Sequence, residues 1–530
     1  MEAEEKKLGA DAGTGEAGAP SRLASSLLHY SPALVLFIIV LTDVGRWADP
    51  DLWGHIRFGQ LALSLGHAPT RDPYSYSVPG HAWHDPEWLA EVMLALSYSA
   101  LGVVGLKLMK FACTAATVLM MALADAETGA SIMIQLVVLM VAGVALIPMM
   151  QFRPQLFTYL LLAALMALLA RDTFNPRGAR FWPVIPIFAL WANTHGGVAA
   201  GLGALGLYAG IRGLEDLFSG RGLGRGIRLG GWTLAAGVAT LANPYGFGNW
   251  LAVAKAIHNP VTRAVISEWQ PLFFKMAQLW HQSPSSMLAF APIIALPVAL
   301  AICFVYRPRG GDLALVAIAA MMSFGAYLSV RNMALAVIAA VVPLCRHASL
   351  ALGDTRFGRS EPLERRTRGN EILVGVIALI LAVQTGLFSN TLKASFALPN
   401  GAVDFMQAHD LSGNVLCDFG WGDYLIWRMA PKTKVFIDAR YDFVYPMTVI
   451  YDYFDFYLDH SRAQKVLNSY PNDFILIPPK APVRTLMEHR SGWKLIYSDP
   501  NAMLFARANS RAARIPGVPI RGRGLPAHFP

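Results

Sequence analysis

Between Trp47 and Arg57 the chain reads Trp-Ala-Asp-Pro-Asp-Leu-Trp-Gly-His-Ile-Arg. Asp49, Asp51, His55 and Arg57 therefore share one short segment, flanked by tryptophans and following an apolar run. A carboxylate held close to an alcohol and partly removed from water can take its proton. Two neighbouring carboxylates can instead hold a divalent cation, magnesium or manganese, through hard oxygen ligands. A polar loop with interfacial tryptophans has the same composition. The segment alone leaves all three readings open.

A second acidic cluster follows at Trp83-His84-Asp85-Pro86-Glu87-Trp88-Leu89-Ala90-Glu91. Asp85 before Pro86 is a helix-start pattern, which accounts for Asp85 without chemistry. Glu87 and Glu91, four apart, share one face of the helix that would begin there. His84, Asp85 and Glu87 together form an acid/base or ligand set.

Cations accompany these acids. Arg153 and Arg331 each sit at the end of an apolar run, and Lys107 and Lys110 lie inside one. An arginine fork matches phosphate oxygens, whereas lysine offers a compact charge. The lysines could equally snorkel to an interface. His195 in Trp191–Gly197 (WANTHGG) and Glu268 beside Trp269 complete the polar residues that no turn requires.

The elements that must position these residues are set by composition. Of 530 residues, 55% are hydrophobic and 15% charged. A soluble protein carries roughly 25% charged residues, so this surface cannot be mostly wet. Soluble, disordered and disulfide-rich secreted classes are excluded, and a polytopic α-helical membrane protein remains. The net charge of +9 falls mainly in short loops between apolar runs, which reports topology and not a nucleic-acid partner. No P-loop, HExxH or CxxC motif is present.

Apolar runs predict spans over 23–44, 103–123, 131–150, 155–170, 183–194, 196–213, 230–243, 286–306, 313–330, 332–350 and 371–390. Trp88–Leu101 is short for a span. Treating it as an interfacial helix puts the arginines of the alternate loops on one side, the cytoplasm. About eleven spans result, with a disordered cytoplasmic tail over 1–22 and the transmembrane domain over 23–394. The 46–101 loop, Arg153, His195, Glu268 and Arg331 then collect on the opposite face. From 395 to 510 short buried strands (415–419, 434–440, 473–479, 493–499, 502–507) alternate with helical stretches, which predicts a small α/β domain on that outer side. Residues 511–530 read as a basic disordered tail.

In order, DPDLWGHIRFGQ, DPYSYS, HAWHDPEWLAE, RPQLFTYLL, WANTHGG, NPYG, ISEWQP and SVRNMAL resemble a group of bacterial polytopic proteins related to the GT-C glycosyltransferase superfamily. CDFGWGDYLIWRM, KVFIDARYD and GWKLIYSDPNAMLFAR resemble the outer domain of that group. The resemblance implies an inverting transferase in a bacterial inner membrane, with its C-terminal domain periplasmic. Its donor would be a polyprenyl-phosphate-linked sugar and its acceptor a hydroxyl of a glycan, lipid or protein. Asp49 and Asp51 match the superfamily's first acidic motif, and Asp85 or Glu87 would correspond to the second. His55, Arg57, His84, Lys107, Lys110, Arg153, His195, Glu268 and Arg331 are the expected substrate-binding residues, and Asp49 with Asp51 the expected ligands of any divalent cation. A non-catalytic scaffold and a transporter of lipid-linked glycans are the competing readings. A transporter would place its polar groups near the bilayer midplane, whereas these gather at one face.

Overall fold

The computed structural model describes residues 47–259, 266–282, 290–353, 355, 383, 386–394, 396–458, 460–515, 518–519 and 528–529. The expected first span, the tail before it, most of the 371–390 span and most of the 511–530 tail lie outside these residues.

The first acidic segment opens helix α1 (Leu52–Leu65), with Asp51 as its N-cap. The Asp51 backbone N–H donates to Asp49 Oδ1 (3.0 Å), a side-chain turn that lets the chain leave Pro50 and enter the helix. Gly66, at φ 72°, ends α1 in the left-handed region that favours glycine. Helix α2 (Trp88–Ala126) is interrupted at Gly102, with φ 59° and ψ −139°. The stretch expected as an interfacial helix therefore runs into the expected span through one glycine break.

The helices that follow are α3 (Ile132–Leu146), α4 (Gln155–Phe174), α5 (Val184–Thr194), α6 (Val198–Phe218), α7 (Gly224–Ala239), α8 (Gly248–His258), α9 (Leu272–Gln282), α10 (Ala291–Tyr306), α11 (Leu313–Leu328) and α12 (Met333–Leu352). Among the described residues, Trp88–Ala126, Ile132–Met149, Gln155–Phe174 and Val330–Leu352 are long and apolar enough to cross a membrane. Val184–Thr194, Ala291–Tyr306 and Leu313–Leu328 are apolar but shorter. Length and composition thus support four crossings among these residues, where nine of the eleven expected spans fall. A helix rises about 1.5 Å per residue, which leaves the shorter ones below the thickness of a bilayer core.

The C-terminal region is a mixed sheet with helices. Its strands are β1 (Asn414–Cys417), β2 (Lys434–Val435), β3 (Phe474–Ile477), β4 (Trp493–Ser498), β5 (Met503–Arg507) and β6 (Val518–Pro519), in the order β2-β1-β3-β5-β4-β6. Strand β1 is parallel to both β2 and β3, and β5 is antiparallel to β3 and β4. The helices are α13 (Asn400–Ala408), α14 (Gly422–Met429), α15 (Met447–Leu458), α16 (His460–Ser469) and α17 (Arg484–Glu488).

The first loop is built onto this sheet. Val435 donates to Tyr74 O (3.0 Å) and Tyr76 donates to Val435 O (3.2 Å), so the loop covers the β2 edge that would otherwise stand open. The strand expected over 434–440 stops at Val435. Beyond it Asp438 and Arg440 leave the ladder to form a buried ion pair (2.6 Å), and Arg440 also pairs with Asp72 of the loop (2.8 Å). The Arg440 guanidinium lies 4.5 Å from the Trp83 ring centre and 4.7 Å from that of Phe58. A charge this deep must be paired, and aromatic faces compensate further for its lost water. The first loop and the C-terminal domain therefore share one side of the helical part.

Candidate active site

Three parts of the chain meet at Arg153, in the turn before α4. Its Nε lies 2.6 Å from Asp49 Oδ1, its Nη2 2.8 Å from Asp51 Oδ2 and its Nη1 2.5 Å from Glu268 Oε1. One guanidinium thus gathers three of the expected residues. The three carboxylates occupy its fork, and the same side chain lines the neighbouring cavity.

The two aspartates differ in access. The Asp49 side chain is 5% exposed and that of Asp51 27%, so a substrate can reach Asp51 but not Asp49. Burial pushes the Asp51 carboxyl up to about 7, against the pull of Arg153. Burial also leaves Asp49 raised in spite of Arg153. For Glu268, Arg153 and Arg331 outweigh burial and hold it below the usual carboxylate range.

A second set lies on the same side of α1. His55 Nδ1 is 2.9 Å from Glu91 Oε1, and His195 Nε2 is 3.3 Å from Glu87 Oε1. His195 Nδ1 accepts from the Gly197 backbone N–H (2.9 Å). Thr158 Oγ1 accepts from Trp191 Nε1 (2.8 Å) and lies 2.8 Å from His195 Nδ1, which holds the ring in place. Arg331 Nη2 stands 3.2 Å from His195 Nε2, with its guanidinium 5.2 Å from the Trp269 ring centre. Burial, helped by Arg153 and Arg331, lowers His55 to about 3, so its imidazole is neutral. Burial raises Glu87 to about 7.

One atom each from His55, Glu87 and Glu91 lie within 4.8 Å of one another. The Glu91 carboxyl also lies against the buried carboxyl of Asp85, with no N–H donor on Glu91 Oε2 or Asp85 Oδ2. An imidazole nitrogen and two carboxylates form a donor set that fits a divalent cation. The Asp49–Asp51 pair fits one less well, because the Arg153 guanidinium already lies against both.

Asp85 Oδ1 accepts from the Glu87 N–H (2.9 Å), a side-chain turn just ahead of α2, whose N-cap is Glu87 and carries no side-chain cap. Four expected residues have other partners. Arg57 Nη1 donates to Gln60 Oε1 (3.3 Å). The His84 ring packs against Tyr245, their centres 5.4 Å apart. Lys107 Nζ donates to Gly386 O, Ser389 O and Ser389 Oγ at 2.7–2.9 Å, which ties α2 to the segment leading into the C-terminal domain. Lys110 lies 4.7 Å from the Phe152 ring centre and is buried. The i,i+4 spacing with Glu87 was the signal for Glu91, whereas no local signal marked Thr158.

Beside Arg153 a cavity of about 310 Å³ is lined by Gln155, Tyr159, Glu268, Lys275 and Arg331 among others.

Solved structures share this architecture. The Archaeoglobus fulgidus oligosaccharyltransferase AglB, in complex with an inhibitory peptide and a dolichol-phosphate, matches with a TM-score of 0.55 at 14% identity, over 92% of this chain and 75% of its own. The mycobacterial arabinofuranosyltransferase AftD matches with a TM-score of 0.50 at 14% identity, over 92% of this chain and 42% of its own. No protein-family model matches the sequence, and no curated protein does. The chain shares the fold of these two glycosyltransferases. Within it, this chain carries a small C-terminal α/β domain and gathers Asp49, Asp51 and Glu268 on Arg153.

Proposed function

We propose that the protein is an inverting glycosyltransferase that moves a sugar from a polyprenyl-phosphate donor to a hydroxyl acceptor. The observation that carries this reading is Asp51: a part-exposed carboxylate at a helix start, fixed by Arg153 beside a cavity with cationic walls. Its pKa near 7 suits a base that must be ionised at neutral pH yet still attract a proton. Asp51 takes the acceptor's proton as the hydroxyl oxygen attacks the anomeric carbon. The bond from that carbon to the phosphate oxygen breaks, and polyprenyl phosphate leaves.

Arg331 and Lys275, on the cavity wall, are the groups for the leaving phosphate. The dolichol-phosphate held by AglB is a ligand of the same chemical class. The eleven-span topology would put this site on the periplasmic face of a bacterial inner membrane, where the acceptor could be a glycan, lipid or protein.

Charge favours an added cation. Three carboxylates take up Arg153, so an incoming phosphate meets only Arg331 and Lys275 among the cations of the cavity wall as unshared positive charge. His55, Glu87 and Glu91 would hold a divalent cation, which when bound supplies positive charge for the departing phosphate. Manganese accepts an imidazole ligand more readily than magnesium does.

The test is transfer by purified full-length protein in nanodiscs from undecaprenyl-phosphate-linked sugars. Asp51→Asn keeps the shape and removes the proton acceptor, so the rate should fall about 10²–10⁴-fold while the donor still binds. Near-normal transfer by that variant would remove Asp51 as the base.

A further inference from the structure

The C-terminal domain touches the first acidic segment at a contact that this reaction does not use. Asp423, in the first turn of α14, is 3% exposed. A Cβ built on Gly54 would lie 2.3 Å from Asp423 Oδ2 and 2.5 Å from its Cγ. Real Cβ atoms do not come that near, so Gly54 is the residue that lets the carboxyl rest on the first turn of α1.

The carboxyl is held from its other side too. Asp423 Oδ1 accepts from the Ala439 N–H at 3.4 Å. A Cβ on Gly422 would lie 2.6 Å from Ile437 O and 2.9 Å from Asp438 Cα, so α14 is pressed onto the segment that carries the buried Asp438–Arg440 pair. Two more contacts grip the same turn of α1. The Trp53 ring meets Tyr424 edge-on, with centres 5.7 Å apart, and Ala48 donates to Lys393 O (2.7 Å). The turn that begins with Asp51 thus has the membrane helices on one side and the C-terminal domain on the other.

We propose that Asp423 is a positioning residue for sugar transfer: its carboxyl, wedged between Gly54 and the 437–439 backbone, fixes the helix turn that carries Asp51. The inference rests on Asp51 as the base. It gives the C-terminal domain a part in the reaction, although that domain supplies no reacting atom. A helix turn moves as a unit, so a displacement at Gly54 is transmitted to Asp51, three residues earlier. A misplacement of about 1 Å at a reacting group can cost about 10²-fold in rate.

The experiment is a double-mutant cycle in full-length protein in nanodiscs. Its probe is undecaprenyl-phosphate-linked mannose, arabinose or glucose, whichever wild type uses, with release of undecaprenyl phosphate as the readout. Gly54→Ala should lower kcat about 10²-fold, while KM for the donor stays within about twofold because the cavity is untouched. Asp423→Ala should lower kcat less, about 10-fold, since it loosens the turn without pushing it. The double variant should return to the level of Asp423→Ala, because the added methyl then occupies the space the carboxyl left. Asp423→Asn, which keeps the size and an acceptor for the Ala439 N–H, should rescue most of the Asp423→Ala loss. If Gly54→Ala does not purify as a folded protein, the Ala-against-Asn comparison at position 423 decides alone. Equal rates for those two variants, or a double variant no faster than Gly54→Ala, overturn the inference. Near-normal transfer by Asp51→Asn overturns the base assignment and this inference with it. An inactive Asp51→Asn with an additive cycle overturns this inference alone.

Discussion

Replacing Arg153 separates two roles for its guanidinium, and the energies can be worked from exposure. Arg153→Met leaves Asp49, Asp51 and Glu268 without their common partner. Asp51 and Glu268 are 27% and 33% exposed, so water screens their loss, and each accounts for about 1 kcal/mol at most. Asp49 is 5% exposed and cannot recover its hydration. Removing one partner of a buried pair costs about 3–5 kcal/mol. Against a total stability of about 5–15 kcal/mol, that is a large fraction. Arg153→Lys should fall between, because an ammonium is a point charge and cannot present three edges to three carboxylates. Thermal unfolding in detergent, followed by tryptophan fluorescence, should rank wild type above Lys and Lys above Met. Undecaprenyl-phosphate binding, measured well below the unfolding temperature, should change little in Arg153→Lys and fall clearly in Arg331→Lys. An unchanged melting temperature with lost lipid-phosphate binding in Arg153→Met would refute the reasoning, and Arg153 would be the phosphate fork after all.

Three further outcomes follow from the same geometry. Transfer should rise with pH through about 7, because Asp51 must be ionised to act and burial holds its pKa there; a profile flat from pH 5 to 8 would exclude it. The same raised pKa means the folded state holds a proton that the unfolded chain releases near 3.8, so the share of stability linked to Asp51 falls between about pH 4 and 7 while activity climbs. Manganese titrated into the full-length protein and followed by electron paramagnetic resonance should bind on the order of 10-fold more weakly in His55→Ala and in Glu91→Gln; wild-type affinity in both variants would remove the site. Arg440→Met should destabilise by about 3–5 kcal/mol, since Asp438 and Asp72 lose their partner in a buried setting; an unchanged melting temperature would show the pair to be dispensable.

Periodicity made much of this molecule legible before its structure. Each of the five strands expected between 415 and 507 has a counterpart, because a strand buried on both faces shows as a short run of consecutive apolar residues. The start of α1 at Asp51 and the side-chain turn at Asp85 were also local matters, set by a proline and a short polar side chain. Topology was harder. Gly102 breaks α2 where the sequence suggested a boundary, yet the helices on either side are continuous enough to form one element.

The pairings that make the site were not legible, and the reason is separation along the chain. Nothing near Arg153 announces Asp49 or Glu268, because all three lie in loops whose approach is decided by helix packing. An arginine at the end of an apolar run reads as a phosphate ligand for want of a visible partner, and its partners were acids recruited from two other loops. Gly54 illustrates the same limit more sharply. Within the first segment it looks like a helix weakness, a residue that costs about 1 kcal/mol relative to alanine. Only the carboxyl of Asp423, carried in by the C-terminal domain, shows why no larger side chain fits there. Conflicts between local propensity and the observed residue are where long-range contacts are hidden. In this chain that conflict lies three residues from the proposed base.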